Sequence, residues 1–270
     1  MLCPGNEVHA LVRAIPASVR HGVSYHTVDL SAEWSTDTLP SRIDAVVHLA
    51  QSRRFREFPE QSVETFRINV ASTATLLDYA WRAGATRFIL ASTGGLYSPA
   101  ASVIGEHSPI NPPDGPLAFY FRSKLAAELL AQPYMALMDV SVLRPFFIYG
   151  PGQAADKLIA RLASSVREGL PIQLNGWNGL TINPVFIDDV ADLLRVIIDS
   201  PGSRTLSVAG PDSVSIREIA EAIGQEVGRA PVFEQREGNE DMLIADHRTM
   251  ERLLGRSLTG FVEGVRRTFR

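Results

Sequence analysis

Tyr120 and Lys124 stand four residues apart in the segment YFRSK, a spacing that places both side chains on one face of a helix. A free tyrosine is a poor acid or base at neutral pH, because its reference pKa is about 10. A nearby ammonium favours the phenolate, and a lysine can also donate a hydrogen bond to a ribose hydroxyl. The pair therefore has the means to exchange a proton with a substrate hydroxyl. The alternative is a tyrosine packed at a helix edge beside a solvated lysine.

The scarcity of lysine favours the chemical role. Of the 26 lysines and arginines, only Lys124 and Lys157 are lysines. In a chain that otherwise uses arginine, one of the two falls four residues after a tyrosine.

A hydroxyl-rich turn follows an apolar segment upstream of this pair. Residues 87–91 are predicted to form a strand that leads into Ser92, Thr93 and two glycines. Ligands bind beyond the carboxyl ends of the strands in open parallel sheets, so a hydroxyl here could bond a substrate oxygen. The alternative is a local turn or N-cap role for Ser92 or Thr93.

The elements that must position these residues alternate between strand and helix. Apolar runs predict strands at 8–13, 24–29, 44–49, 87–91 and 140–144, and helical periodicity predicts helices at 64–83 and 119–130. This alternation predicts an α/β fold with a doubly wound parallel sheet. We expect a dinucleotide-binding domain at 1–150 and a smaller α/β, mostly substrate-binding lobe at 151–270, from which 184–209 returns to the first domain. Further helices are predicted at 154–169, 188–198, 213–228, 248–254 and 258–268, and strands at 172–174, 185–187 and 206–209.

Composition excludes several classes of protein. The net charge of −4 argues against nucleic acid or an anionic membrane as the partner, and no apolar run is long enough to span a bilayer. Cys3 is the single cysteine, and the six histidines lack metal-binding spacing, so no metal site is predicted. These features are typical of a cytoplasmic protein with a small-molecule substrate.

Six motifs in order resemble the extended short-chain dehydrogenase/reductase family, the NAD-dependent epimerase/dehydratase group. They are HLA at 48–50, NVASTATLL at 69–77, STGGLY at 92–97, YFRSKLAAE at 120–128, LRPFFIYGPG at 143–152 and FIDDVA at 186–191. The resemblance implies an enzyme with a Rossmann-like fold and either NAD or NADP as cofactor. It also implies a homodimer formed through the helices at 64–83 and 119–130.

Residue roles follow from that resemblance alone. It implies a catalytic triad of Thr93, Tyr120 and Lys124, in which Tyr120 moves the hydroxyl proton and Lys124 holds the nicotinamide ribose. The remaining cofactor contacts that it implies are Asp29 and Leu30 at the adenine, Leu49 and Ala50 near the diphosphate and ribose, and Pro145 near the nicotinamide. Arg13 at the end of a strand favours NADP, since an arginine there accepts a 2′-phosphate.

The sequence departs from the family at its beginning. The glycine-rich fingerprint, with the first strand and helix of that unit, does not precede the strand at 8–13. We therefore expect a misassigned start or a shortened gene product, with weak cofactor binding. The strands at 8–13 and 44–49 are then expected either to pair directly or to leave a gap.

A second departure concerns the substrate. Phe147 stands where nucleotide-sugar members carry an asparagine, and residues 181–184 lack the arginine that often precedes the FIDDVA segment. Arg53, Arg54 and Arg56 could supply positive charge instead, or form a solvated basic loop. These departures favour a small alcohol, ketone or other sugar-like substrate over a nucleotide sugar. The rival hypothesis is a non-catalytic, cofactor-poor scaffold or regulatory protein that retains the fold.

Overall fold

A computed structural model describes residues 5–100 and 102–269. Its strands are β1 (Val8–Val12), β2 (Val23–Thr27), β3 (Ala45–His48), β4 (Arg87–Ala91), β5 (Asp139–Pro145), β6 (Pro171–Asn175), β7 (Thr181–Ile182), β8 (Arg204–Val208), β9 (Val214–Ser215), β10 (Val232–Arg236) and β11 (Met242–Leu243). Its α-helices are α1 (Ser62–Phe66), α2 (Ser72–Arg82), α3 (Ala118–Ala131), α4 (Leu158–Glu168), α5 (Ile187–Asp199), α6 (Ile216–Val227), α7 (Arg248–Leu254) and α8 (Phe261–Phe269). A π-helical turn, Arg67–Ala71, joins α1 to α2.

Parallel pairing confirms the Rossmann-like α/β fold. One sheet has the order β3-β4-β5-β8, and β3 with β4 and β4 with β5 are parallel pairs. A second parallel pair joins β1 to β2, and within residues 5–100 and 102–269 no pairing joins β1 to β3. Of the two expected arrangements, the structure therefore has the gap.

The chain forms two compact units. Unit 1 contains the described residues up to Ser92, together with Pro112–Leu143 and Ile197–Thr205. Unit 2 contains the described residues of Thr93–Asn111, Arg144–Val196 and Leu206–Arg270. Each unit has its own apolar core, around Leu77 and Phe88 in unit 1 and around Phe146 and Ile219 in unit 2. The predicted division at residue 150 between cofactor-binding and substrate-binding parts stays a prediction.

Several boundaries in unit 2 differ from those predicted. Helix α4 begins at Leu158 and α8 at Phe261, later than expected. Phe186 makes only an isolated bridge to Tyr149 instead of a strand at 185–187, and the acidic pair 188–189 lies inside the first turn of α5. Ser215 and Glu218 form a capping box at the start of α6.

Candidate active site

Lys124 lies buried at the carboxyl ends of two parallel strands. Its side chain projects from α3, and its ammonium Nζ donates to the carbonyl of Ala91, 2.9 Å away at the end of β4. The carbonyl of Ala50, just after β3, lies 3.5 Å from the same nitrogen. Lys124 is 2% exposed, and burial lowers its pKa to about 8 against an opposing effect of Glu128. The ammonium is thus held where parallel sheets bind ligands.

Tyr120 lies one helical turn before Lys124 on α3, as the spacing predicts. Its hydroxyl donates to Oε1 of Gln51 over 3.0 Å, and its ring centroid lies 4.5 Å from that of Phe55. Both contacts come from the segment that follows β3. Tyr120 is 7% exposed, so the phenol is largely buried.

A chain of hydrogen bonds fixes the start of α3. Ser123 Oγ donates to the carbonyl of Tyr120 over 2.7 Å and accepts from Asn69 Nδ2 over 2.9 Å. One turn beyond Lys124, the Glu128 carboxylate accepts a short hydrogen bond from the hydroxyl of Ser92. The hydroxyl of Ser92 is therefore engaged in holding α3 to the end of β4.

Thr93 belongs to unit 2, where its hydroxyl has a local role. Its Oγ1 accepts from the backbone N–H of Gly95 over 3.1 Å and so caps a short 3₁₀ turn, Gly94–Leu96. This is the local role that the sequence left open as an alternative. The catalytic role of Thr93 stays a prediction.

The residues predicted at the adenosine end of a cofactor lie beyond β1, β2 and β3. Asp29 is exposed, and hydrogen bonds from the side chain and backbone of Ser31, with a weaker effect of Arg13, hold its pKa below the usual value. Leu30 follows Asp29 and is half-buried, while Leu49 is an exposed apolar side chain directly after β3. Pro145 ends β5 and is half-buried in unit 2.

The positions that differ from the family pattern have structural roles of their own. Phe147 adopts a left-handed backbone conformation with a φ of 51°, which is uncommon for a bulky residue. The Asn183 amide is buried and bonds internally, to the carbonyls of Gly210 (3.1 Å) and Ala245 (2.7 Å). Asn183 therefore cross-links two segments of unit 2 through its side chain.

The three arginines after β3 are exposed, as expected of a solvated loop. Arg54 pairs with Glu57 at 2.8 Å, and the guanidinium of Arg56 lies over the ring of Phe55. Across residues 5–100 and 102–269, no group of three acidic, histidine or cysteine side chains could hold a metal. No helix in that part of the chain is long and apolar enough to cross a membrane. Cys3 lies outside the described residues.

Gln51 was not predicted from the sequence. Its contact with Tyr120 spans 69 positions along the chain, so no local pattern reveals it. The available signal was its place immediately after HLA, at the carboxyl end of a predicted strand.

Comparison with known proteins gives a consistent result. Residues 2–209 match the model of the NAD dependent epimerase/dehydratase family. UDP-glucuronate 4-epimerase of Thermodesulfobacterium geofontis is 30% identical over 190 residues, which are 69% of this chain and 58% of that enzyme. dTDP-glucose 4,6-dehydratase of Streptomyces griseus is 32% identical over 222 residues, which are 78% of this chain and 66% of that enzyme. The chain thus spans less than two thirds of the length of these two curated relatives.

Among solved structures, MoeE5 in complex with UDP-glucuronic acid and NAD is similar with a TM-score of 0.83 and 28% identity, over 98% of this chain and 90% of that one. MoeE5 in complex with UDP-glucose and NAD gives 0.82 and 29%, with the same coverage.

Proposed function

The chain belongs to the NAD dependent epimerase/dehydratase family, and on that premise we propose that it epimerises or dehydrates a sugar nucleotide, using Tyr120 and Lys124. One observation carries this proposal: the Lys124 ammonium is buried at the carboxyl ends of β3 and β4. Burying an ammonium lowers stability unless it is paired and hydrogen-bonded, and burial is the largest influence on the pKa of Lys124. A scaffold without chemistry would have no need to retain it, which favours an enzyme over the non-catalytic alternative.

The residues of unit 1 fit both ends of a nicotinamide cofactor. Two N–H groups of the Lys124 ammonium face the carbonyls of Ala50 and Ala91, and we assign the third to the nicotinamide ribose. Asp29 and the exposed Leu49 suit the adenosine end. Within residues 5–61, which the structure describes, no helix begins, so no backbone cradle for the diphosphate is assigned there.

We favour NAD over NADP. Both MoeE5 complexes hold NAD. The charge of Arg13, which favoured NADP in the sequence, acts on the Asp29 carboxylate in the structure. The Asp29 carboxylate thus offsets part of the positive charge that a 2′-phosphate would need.

When bound, NAD would accept a hydride from the carbon that carries the reacting hydroxyl and later return it. Tyr120 would take the proton of that hydroxyl as the carbonyl forms and give it back on reduction. Lys124 would favour the phenolate through its charge. Thr93, the third member of the proposed triad, would orient the substrate oxygen.

A sugar nucleotide fits the similar proteins better than the small alcohol or ketone that the sequence left open. The two relatives are named for UDP-glucuronate and dTDP-glucose, and MoeE5 was solved with UDP-glucuronic acid and with UDP-glucose. The departures at Phe147 and at 181–184 bear on how the diphosphate would be held, and leave the proton chemistry of unit 1 unchanged.

We also propose a homodimer formed through the helices of unit 1. Val63 and Phe66 on α1 and Leu129 on α3 are large apolar side chains with at least half of their surface exposed. Such side chains are typical of helices that are covered by a second subunit.

Replacement of Tyr120 tests the proposed chemistry. Tyr120→Phe removes only the hydroxyl, so we expect kcat on UDP-glucuronic acid or UDP-glucose with NAD to fall at least a hundredfold. Tyr134→Phe is the matched control, since Tyr134 lies about 20 Å further along the same helical segment. Product chromatography with mass detection separates an epimer, which keeps the substrate mass, from a dehydration product. Turnover by Tyr120→Phe equal to that of the parent would refute the assignment.

A further inference from the structure

The segment that follows β3 covers the tyrosine of the proposed site. Residues 51–61 belong to the connection between β3 and α1, and they supply both the Gln51 amide at the Tyr120 hydroxyl and the Phe55 ring against the Tyr120 ring. A third contact stacks Phe58 on Phe119, with ring centroids 5.3 Å apart. Gln51 is half-buried, so its amide is partly shielded from competing water.

Gln51 is held in place by its neighbour Ser52. The backbone N–H of the fully buried Ser52 donates to Asn69 Oδ1 over 3.3 Å, and its hydroxyl donates to Glu64 over 2.9 Å. Asn69 in turn donates to Ser123, which bonds the backbone of Tyr120. One connected network thus fixes both partners of the contact between Gln51 and Tyr120.

The chemistry of a primary amide suits a group that changes its protonation state. The amide oxygen accepts from a phenol, and after rotation the NH₂ group donates to a phenolate. Unlike the Lys124 ammonium, which favours the phenolate, the amide carries no charge and can bond either form. We propose that Gln51 is a positioning residue that holds the Tyr120 hydroxyl in both protonation states. This inference rests on the proposed function of Tyr120.

A titration without substrate or cofactor tests the contact itself. The difference in phenolate absorbance between a protein and its Tyr120→Phe derivative reports the ionisation of Tyr120 alone. In Gln51→Glu the new carboxylate can accept a hydrogen bond from the phenol, but it repels the phenolate. We therefore expect the pH midpoint of Tyr120 ionisation to rise by at least one unit. Gln61→Glu adds the same charge at the far end of the segment, and we expect a rise below 0.3 unit.

The other titratable groups carried by these elements are the same in every variant, so they cannot produce a difference between the two glutamates. They are His48 on β3, Glu64 on α1, Arg122, Lys124 and Glu128 on α3, and Arg53, Arg54, Arg56, Glu57 and Glu60 in the segment itself. Equal midpoints in Gln51→Glu and Gln61→Glu would overturn the proposal.

A neutral variant tests the role in turnover. Gln51→Asn keeps the amide but shortens its reach, and we expect kcat to fall about tenfold with KM within twofold of the parent, while Gln61→Asn matches the parent. A kcat for Gln51→Asn within twofold of the parent would overturn the positioning role. The two hypotheses can fail separately. If Gln51→Glu raises the midpoint of Tyr120 ionisation but Tyr120→Phe keeps full activity, the proposed function fails while the contact stands. If Gln51→Glu leaves the midpoint unchanged and Tyr120→Phe loses activity, the proposed function stands and only the role of Gln51 is rejected.

Discussion

At the residue scale, Lys124 links the proposed chemistry to a measurable cost in stability. Burial lowers its pKa from 10.5 to about 8, so the folded state disfavours the ammonium relative to the unfolded chain. This cost is present in full below pH 8 and disappears as the pH rises to 10.5, where lysine loses its proton in either state. The shift of 10.5 minus 8 corresponds to about 3 kcal/mol.

Lys124→Met removes this dependence. We expect the unfolding free energy of the parent to rise relative to that of Lys124→Met by about 3 kcal/mol between pH 8 and pH 10.5. Urea unfolding at steps across this range measures the difference. Lys157→Met, at the other lysine, is the control, because Lys157 is partly exposed beside Asp156. A difference between the parent and Lys124→Met that does not change with pH would contradict the burial of the charge.

The sequence predicted the elements that carry these residues better than the contacts that the residues make. The spacing of Tyr120 and Lys124 placed them correctly on one helix, because helical periodicity is a local property. The engagement of Ser92 by Glu128 and of Tyr120 by Gln51 depends on tertiary contacts over 36 and 69 positions, which no local pattern encodes. Thr93 followed its local turn chemistry, which the sequence had offered as the alternative.

At the element scale, β3 packs against α2 through a buried histidine. His48 is 4% exposed, and its Nε2 lies 3.3 Å from the hydroxyl of Ser72, the first residue of α2. Burial, with a smaller effect of the Lys124 charge, lowers the pKa of His48 to about 3. The folded state therefore disfavours the imidazolium, and stability is lost as the pH falls from 6.5 towards 3.

Replacement of His48 should make the folding stability of the protein less sensitive to acid. Between pH 6.5 and pH 5, we expect the parent to lose about 2 kcal/mol of unfolding free energy that His48→Asn does not lose. Denaturant unfolding at the two pH values measures the loss. His21→Asn, at an exposed histidine of the same unit, should behave like the parent. Equal acid sensitivity in all three proteins would show that His48 titrates normally.

Elements with continuous apolar runs could be predicted closely, whereas weakly patterned ones could not. The strand at 87–91 has its predicted bounds, because its interior is fully buried. Strand β10 was missed, since four of its five residues are exposed and only Phe233 is half-buried. The π-helical turn between α1 and α2 was also unpredicted, because the apolar stripe runs through it without interruption.

At the scale of the whole molecule, the exposed apolar side chains of α1 and α3 bear on assembly. We expect Phe66→Asp combined with Leu129→Asp to convert the proposed dimer into a monomer, because each change puts a charge into a covered apolar surface. Sedimentation velocity measures the mass. Val262→Asp on α8 is the control, as Val262 is similarly exposed in unit 2. A parent that sediments as a monomer would refute the dimer.

The scarcity of lysine has a practical consequence for the whole molecule. The two side-chain amines differ in access, since Lys124 is buried in unit 1 and Lys157 is partly exposed. A mild acylating reagent should modify Lys157 promptly and Lys124 only when unit 1 opens locally. The rate at which Lys124 is acylated, measured by peptide mass spectrometry, therefore reports how often this site opens. The acylation of Lys157 serves as the internal standard.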